Sequence, residues 1–391
     1  MVDWHRLLAK TAHSIEERVD TLRYRLSGSL GRFNAPIIVP YLGYGSQRRL
    51  HLTGRVLQDK GIQKARSEDR IWHNVLNMYR RLESDEVPGA RVIAQFGQLR
   101  SEVVTDQEGY FDVVFEPAWA EPPDTLWHQV ELLLDSPQPA GEEDGQVHTT
   151  GHVLIPPRQA QFGVISDIDD TVIRTYATEW LRMARLMLLG NARTRLPFAG
   201  VSAFYRALQG GAGAQTQNPL FYVSSSPWNL YDLLVDFFQI QQIPMGPLFL
   251  RDWGVTETEI LPTDHHGHKL DVICRLLDFY TDLSFILIGD SGQQDPEIYC
   301  EVVRRYPHRI LSVYIRDVSD DAVRDEAVLA LGEEVIEAGS DLILAEDTSF
   351  MAEHAVGRGW IMPEVVEDVQ ASVTQNNEAP TPAEALLEDQ D

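Results

Sequence analysis

An abrupt change from apolar to acidic residues between positions 164 and 171 constrains this chain more than any other feature. The run reads Val164-Ile165-Ser166-Asp167-Ile168-Asp169-Asp170-Thr171. Asp167 and Asp169 lie two positions apart, so on a continuing strand their side chains share one face, where their repulsion requires a cation, a shared proton or a reaction. The run predicts a site for Mg²⁺ held by oxygen ligands, and a turn or a calcium-like loop is the alternative.

A second polar cluster follows another apolar strand. The stretch Phe221-Tyr222-Val223 leads into Ser224, Ser225 and Ser226, and Pro227 breaks the pattern. Hydroxyls at the carboxyl end of a strand, followed by free backbone N–H groups, form a cradle for an anion, although a helix cap uses the same residue types. We favour Ser224 as the anion ligand because it comes first after the apolar strand.

Two later segments add charge to this pattern. Lys269 opens a helical pattern and supplies the point charge that a phosphate site uses. The apolar run 285–288 leads to Asp290, and Asp295 follows five residues later. Taken singly, these positions suit a solvated lysine and a turn. All four clusters in this order, three of them at strand ends, favour a common site.

These residues resemble the four motifs of the haloacid dehalogenase superfamily of phosphotransferases, in kind and in order. Within that superfamily, the chain resembles the actin-patch-associated phosphatidate phosphatase family over roughly residues 160–360. The segments that carry this closer resemblance are 166–173, 222–230, 246–254, 268–269 and 288–296. The resemblance implies an HAD-like phosphatase with a Rossmannoid parallel sheet and a small helical cap insertion.

The resemblance also implies a role for each residue. Asp167 is the nucleophile that forms an aspartyl-phosphate, and Asp169 is the general acid and then the general base. The metal ligands are Asp167, Asp169 and Asp290. The phosphate ligands are Ser224, Ser225 and Lys269. The residues that support the site or contact the substrate are Thr171, Asp295, Arg182, Arg185, Arg251 and His268.

The charges of the nucleophile and the substrate also favour metal-dependent phosphate chemistry. A phosphate monoester dianion repels a carboxylate nucleophile, so Asp167 can attack only if Mg²⁺ and Lys269 cancel much of that charge. Hydrolysis in two steps also requires one group that protonates the leaving oxygen and then deprotonates water, and the spacing of Asp169 suits both tasks. The cluster His265-His266-Gly267-His268 is an alternative acid or a zinc site, but no paired ligand motif accompanies it.

Changes in periodicity predict four segments. Apolar residues in the segment 1–35 have helical spacing. In the segment 36–158 apolar and polar residues alternate, which predicts a β-sandwich-like domain that resembles a transthyretin-like sandwich. An amphipathic helix at about 68–82 interrupts this alternation. Residues 159–362 alternate apolar strands with helical stretches, which indicates an α/β catalytic domain with a parallel sheet covered on both faces. Residues 363–391 are acidic, contain no Lys or Arg, and predict a disordered tail.

A small cap is predicted at about residues 176–218, between the first two motifs. Its stretch 180–189 has a broad apolar arc, with Arg182 and Arg185 on a narrow side. This pattern is typical of a core helix of the cap. It also suits an interfacial helix that lets a lipid phosphate approach the site.

Composition limits the partners of the chain. The formal net charge of −26 argues against binding along a nucleic-acid backbone and against broad docking on an anionic bilayer. No apolar run reaches membrane-spanning length, and the first residues lack the apolar core of a secretion signal. We therefore expect a cytoplasmic chain that contacts membrane surfaces at most transiently. The sequence does not identify a protein partner for the β domain.

The sequence predicts a Mg²⁺-dependent phosphomonoester phosphatase that acts on phosphatidate or a related lipid phosphate. One alternative is a phosphatase of a soluble sugar phosphate, nucleotide phosphate or phosphoprotein. Another is a non-catalytic module that holds a phosphate ligand. Adjacent Asp167 and Asp169 argue against the module, because a pure binder needs neither a nucleophile nor an acid.

Overall fold

The computed structural model of the chain describes residues 35–58, 86–118, 124–137, 146–168, 200–213, 216–251, 265–318 and 321–378. Within these residues an eight-stranded sheet precedes a six-stranded parallel sheet that is flanked by helices. The α/β class and the parallel sheet predicted from alternating strands and helices are therefore confirmed.

Eight strands form the N-terminal sheet: β1 (Pro36–Pro40), β2 (Gly43–Gly45), β3 (Leu50–Gln58), β4 (Arg91–Phe96), β5 (Leu99–Val104), β6 (Tyr110–Phe115), β7 (Trp127–Ser136) and β8 (His148–Leu154). Their order is β1-β3-β2-β8-β7-β4-β5, and β6 pairs with β3. Because β5 also lies close to β6, the sheet curves around a single core that includes Leu52, Val92 and Phe111. The predicted sandwich is thus one continuous sheet, since β3 bonds to β1 and β2 on one edge and to β6 on the other.

The parallel sheet contains β9 (Gly163–Asp167), β10 (Leu220–Pro227), β11 (Leu248–Arg251), β12 (Phe285–Asp290), β13 (Ile310–Arg316) and β14 (Asp341–Ala345). The described helices that accompany it are α1 (Val201–Gly210), α2 (Tyr231–Ile240), α3 (His265–Phe279), α4 (Asp295–Arg305), α5 (Ala322–Glu337), α6 (Thr348–Gly357) and α7 (Val365–Glu378). The strand order is β11-β10-β9-β12-β13-β14.

The strand order places two acidic strand ends side by side. From β9 the chain builds outward through β10 and β11, then returns to the other side of β9 with β12 and continues outward through β13 and β14. Open parallel sheets bind ligands beyond the carboxyl ends of the strands, where such an order reverses. Asp167 ends β9 and Asp290 ends β12, so both carboxylates lie at this switch point.

The central strands are apolar on both faces because helices cover both. Val164 and Ile286 face a core that includes residues of α1, whereas Ile165 and Leu287 face a core built with α3 and α4. All four of these side chains are fully buried. This explains why β9 and β12 read as continuous apolar runs instead of alternating ones.

The predicted cap at 176–218 extends too far. Residues 201–210 form α1, and Phe204 and Leu208 are fully buried in the core of the parallel sheet. Helical spacing of apolar residues is the same for a cap helix and a core helix, so the pattern alone could not separate them. The stretch 180–189, residues 1–34 and the helix predicted at 68–82 lie outside the described residues.

The predicted disordered tail at 363–391 is wrong for its first half. Residues 365–378 form α7, which packs against α1 and α6. Val369 is fully buried and Val373 is nearly so. Val365, Val369 and Val373 recur at every fourth position, a helical stripe that the acidic composition obscured.

This packing makes α7 part of the folded domain. Truncation after Pro363 should lower the free energy of unfolding by about 3 kcal/mol or more, because full burial of each valine contributes about 1.5 kcal/mol at least. Chemical denaturation in urea measures the change. Truncation after Glu378 is the matched control, since it leaves every described contact of α7 in place. Equal stability of the two truncated chains would contradict a structural role for the helix.

Candidate active site

The polar residues predicted from the sequence converge at the carboxyl edge of the parallel sheet. Asp167 ends β9, and Asp290 ends the neighbouring strand β12. Ser224 and Ser225 belong to β10, which flanks β9 on its other side. Lys269 lies in the first turns of α3, and Asp295 is the first residue of α4. The structure therefore brings together four of the predicted segments.

A buried ammonium group links two carboxylates of this cluster. Lys269 Nζ lies 3.1 Å from Asp167 Oδ1 and donates a hydrogen bond to Asp295 Oδ1. The side chains of Lys269, Asp167 and Asp295 are only 3%, 1% and 0% exposed. Burial alone would lower the pKa of Lys269, but the two carboxylates outweigh it and raise that pKa above its ordinary value. Lys269 is thus a fixed positive charge beside the predicted nucleophile.

Asp295 uses both of its oxygens within the site. Oδ1 accepts from Lys269, and Oδ2 accepts from the backbone N–H of Asp290 at 3.2 Å. The close approach of the Asp295 carboxylate to β12 requires a glycine at position 289, because a Cβ there would lie 2.3 Å from Asp295 Oδ2. Asp295 therefore contacts both Lys269 and the end of β12.

Asp290 lies in a mixed electrostatic environment. Burial raises the pKa of its carboxyl group, and the charge of Asp295 raises it further. Arg316, the backbone N–H of Gly292 and Lys269 act in the opposite direction. The N–H of Gly292 donates to Asp290 Oδ1 at 2.8 Å. These contacts fix the orientation of the carboxylate.

Arg316 is a cation that the sequence analysis missed. It ends β13 in direct register with Asp290, so both side chains leave the same face of the sheet. Burial lowers the pKa of its guanidinium, and the negative charges of Asp290 and Asp167 oppose that decrease. The position of Arg316 at the end of a predicted strand was the signal that could have identified it.

The strand end that carries Asp167 is supported from α1. Ser166 Oγ and the hydroxyl of Tyr205 form a fully buried hydrogen bond of 2.7 Å. Burial raises the pKa of Tyr205 above its ordinary value, so its hydroxyl remains protonated. Tyr205 lies in a stretch that the sequence assigned to the cap, and nothing in the sequence predicted this contact.

The loop after Asp290 is held by a residue of α5. Arg324 Nε donates to the carbonyl oxygen of Ser291 at 2.8 Å, and its Nη2 donates to Glu297 Oε2 at 3.0 Å. Ser291 Oγ also donates to Asp317 Oδ1 at 3.2 Å. The loop is therefore anchored by a residue of α5 and by the residue that follows β13. Arg324 belongs to no motif of the sequence analysis.

The two candidate phosphate ligands on β10 directly follow the last residue of that strand that pairs with β9. Val223 is the register partner of Asp167, and the register of β10 with β11 shifts between Val223 and Pro227. Ser224, which the sequence analysis favoured, is fully buried, and Ser225 is 5% exposed. Both serines therefore follow the strand position that pairs with Asp167.

The acidic cluster has the composition and spacing of a hard-cation site. Ligand oxygens of Asp167, Asp290 and Asp295 all lie within 4.8 Å of one another. Mg²⁺ prefers oxygen ligands, carboxylates among them, so these residues fit it. Because Asp295 already accepts from Lys269 and from the Asp290 N–H, Asp167 and Asp290 are the pair that is better placed to hold a metal.

Other predicted site residues are described partly or not at all. His268 lies half-buried on α3, next to Lys269, and Arg251 ends β11. The remaining four lie outside the described residues: Asp169, Thr171, Arg182 and Arg185.

Comparison with known proteins shows which family this segment resembles. Residues 162–317 match the family model described as phosphatidate phosphatase APP1, catalytic domain. The matched segment contains the five charged residues of the cluster: Asp167, Lys269, Asp290, Asp295 and Arg316. Residues 162–317 are therefore similar to this phosphatase family, and the predicted resemblance is confirmed. Membership of the haloacid dehalogenase superfamily is consistent with it.

Two curated proteins are similar in sequence. Phosphatidate phosphatase APP1 of Saccharomyces cerevisiae is 28% identical over 337 residues, which cover 81% of this chain and 54% of that protein. An uncharacterized protein of Schizosaccharomyces pombe is 34% identical over 161 residues, which cover 40% of this chain and 25% of that protein. The chain thus spans about half the length of the first relative and about a quarter of the second.

Similarity to solved structures is weak. A carbohydrate acetylesterase from Xanthomonas citri matches with a TM-score of 0.26 and 13% identity, covering 79% of this chain and 69% of that chain. A TM-score this low carries no argument about fold or function. Among the described residues, no helix combines the length and the apolar character needed to cross a membrane.

The buried contacts of Lys269 lead to a prediction about stability. Lys269→Met should lower the free energy of unfolding by about 3–5 kcal/mol in EDTA, because two buried carboxylates lose their common counter-charge. Urea denaturation measures the loss. Arg305→Met, which breaks an exposed ion pair with Glu301, is the matched control and should have a much smaller effect. If the two variants lost equal stability, the buried contacts of Lys269 would not stabilise the fold.

Proposed function

We propose that this chain is a Mg²⁺-dependent phosphomonoester phosphatase that acts through an aspartyl-phosphate on Asp167. The observation that carries the proposal is the buried contact of Lys269 with Asp167, next to Asp290, at the switch point of a parallel sheet. The match of residues 162–317 to a phosphatidate phosphatase catalytic domain supports it.

Asp167 supplies the nucleophilic oxygen in this proposal. One of its carboxylate oxygens attacks phosphorus, the bond from phosphorus to the ester oxygen breaks, and the phosphoryl group moves to Asp167. Asp169 donates a proton to the departing alkoxide. In the second step Asp169 accepts a proton from water, and the water oxygen bonds to phosphorus while the bond from phosphorus to the Asp167 oxygen breaks. Inorganic phosphate leaves, and the Asp167 carboxylate is regenerated.

The charges around Asp167 make this attack feasible. Lys269 is fixed 3.1 Å from Asp167 Oδ1, so it can also meet the oxygens of an incoming phosphate without rearrangement. We assign the hydroxyl contact to Ser224 and Ser225, which directly follow the register partner of Asp167 on β10. When bound, Mg²⁺ would neutralise part of the negative charge of the phosphoryl group, with Asp167, Asp169 and Asp290 as its protein ligands.

The name of one relative supports a proposal for the substrate class. The Saccharomyces cerevisiae relative is named a phosphatidate phosphatase, so we propose phosphatidate or a related lipid phosphate as the substrate. Arg182 and Arg185, in the arginine-containing apolar stretch 180–189, are the proposed contacts with a lipid headgroup. A soluble sugar phosphate, nucleotide phosphate or phosphoprotein is the second candidate, because the described part of the site recognises only the phosphate.

A panel of substrates tests both parts of this proposal. We expect phosphate release from phosphatidate in mixed micelles to exceed release from a sugar phosphate, a nucleotide monophosphate and a phosphopeptide. Release should require Mg²⁺ and stop in EDTA, since Asp167 cannot otherwise approach the dianion. Preferred hydrolysis of a soluble monoester would overturn the lipid assignment alone. No Mg²⁺-dependent release from any substrate would overturn the phosphatase assignment.

The covalent step gives a sharper prediction. Asp167→Asn should reduce kcat at least about a hundredfold and abolish phosphoenzyme trapping, because an amide does not form the acyl-phosphate. Acid quenching with radiolabelled substrate measures the trapped phosphate. Asp271→Asn, at an exposed position on α3, is the matched control and should retain wild-type turnover. Turnover of Asp167→Asn above a hundredth of the wild-type rate would exclude Asp167 as the nucleophile.

A further inference from the structure

The N-terminal sheet inserts one aromatic side chain into the core of the parallel-sheet domain. Tyr41, in the short connection between β1 and β2, is only 7% exposed and belongs to the same core as Tyr222 and Tyr231. Its ring stacks on Trp228 with centroids 4.7 Å apart and planes at 28°. It also packs on Tyr231 at 4.5 Å. Tyr41 therefore fills a place between two aromatic residues of the other domain.

Two backbone hydrogen bonds accompany the packing of Tyr41. The backbone N–H of Leu42 donates to the hydroxyl of Tyr231 at 2.7 Å. On the other side, the N–H of Tyr41 donates to the carbonyl oxygen of Thr53 on β3 at 2.9 Å. The connection between β1 and β2 is thus tied to both domains, and it fixes the distance between them at this point.

The residues held by Tyr41 lead directly to the proposed phosphate-binding hydroxyls. Trp228 follows the last residue of β10 and begins a short 3-10 turn, Trp228–Leu230, which leads into α2 at Tyr231. Ser225 lies three residues before Trp228. No side chain caps the N-terminus of α2. The Trp228 ring on which Tyr41 stacks therefore belongs to the backbone segment that follows the serines.

We propose that the N-terminal sheet positions the phosphate-binding segment, with Tyr41 and the Leu42 N–H as the positioning groups. This inference rests on the proposed function, because it assigns a role to the β domain in the same site. A segment that is already ordered before binding loses less conformational freedom when phosphate arrives, so it binds phosphate more tightly. Loss of the Tyr41 stack should therefore weaken phosphate binding without removing any group that contacts the phosphate.

A second aromatic contact between the domains provides a control. Tyr44 on β2 packs against Phe249 at 5.3 Å and against Phe279 at 5.1 Å. Phe279 ends α3, ten residues from Lys269, which is about 15 Å along a helix. Tyr44 thus joins the same two domains through β11 and α3, and not through the turn that follows the serines. Its loss should reduce stability but not phosphate affinity.

The test compares Tyr41→Leu with Tyr44→Leu in the full chain. Tyr41→Leu should raise KM for para-nitrophenyl phosphate, and the inhibition constant of inorganic phosphate, about fivefold, within the range expected for an aromatic stack. Tyr44→Leu should change neither constant, although both variants should lower Tm. The separate variant Tyr41→Phe should keep both constants within about twofold of the wild-type values, because it retains the aromatic stack. Equal constants for Tyr41→Leu and Tyr44→Leu would overturn the inference and leave a purely structural contact.

A milder variant covers the case in which Tyr41→Leu does not fold. Tyr231→Phe removes only the hydroxyl that accepts from Leu42, and it should raise KM about twofold to fivefold, as expected for one hydrogen bond. Unchanged constants for a folded Tyr231→Phe would exclude the Leu42 contact from the positioning role.

Binding of inorganic phosphate separates this inference from the proposed function. Isothermal titration in Mg²⁺ should show weaker binding to Tyr41→Leu, or to Tyr231→Phe, than to wild type and Tyr44→Leu. That result supports positioning even if no monoester is hydrolysed, in which case only the phosphatase assignment fails. Equal binding to all four proteins overturns the inference, and a wild-type chain that binds no phosphate overturns both.

Discussion

The structure of the candidate site depends on one buried cation. Three carboxylates, Asp167, Asp290 and Asp295, have oxygens within 4.8 Å of one another, and a cluster of that kind is unstable in a protein interior unless positive charge compensates it. Lys269 contacts two of the three, and Arg316 lies in register with the third. This arrangement depends on three features of the fold: the position of α3 against the sheet, the start of α4 at Asp295, and the glycine at position 289.

The site residues at strand ends were predictable from the sequence because apolar residues change there abruptly to polar ones. Asp167, Asp290 and the serines at 224 and 225 stand where apolar runs stop, and Lys269 opens a helical pattern, so their convergence followed from a parallel sheet. Residues that act from the flanks carried no such signal. Tyr205 reaches Ser166 from a helix, and Arg324 reaches the loop after Asp290 from α5. Contacts of this kind depend on packing between elements that are distant in sequence.

Errors in the sequence analysis have physical causes as well. Helical spacing identifies a helix but not the surface it covers, so α1 was assigned to the cap although Phe204 and Leu208 face the sheet. Acidic composition favoured disorder at 365–378, yet three valines at every fourth position are enough for one buried stripe. The N-terminal domain was predicted as a sandwich, but β3 is long enough to bond to three other strands and joins them in one sheet.

The crossing of the chain at β9 has a consequence for biosynthesis. Gly163 on β9 pairs with Phe285 on β12, more than a hundred residues later, so the central ladder closes only after most of the chain has left the ribosome. Contacts between such distant segments form slowly. Until then β9 lacks its second neighbour and Asp167 lacks the ammonium of Lys269, and exposed apolar strand edges of this kind invite aggregation. A nascent chain that ends before α3 therefore contains the proposed nucleophile but lacks Lys269, Asp290 and Asp295.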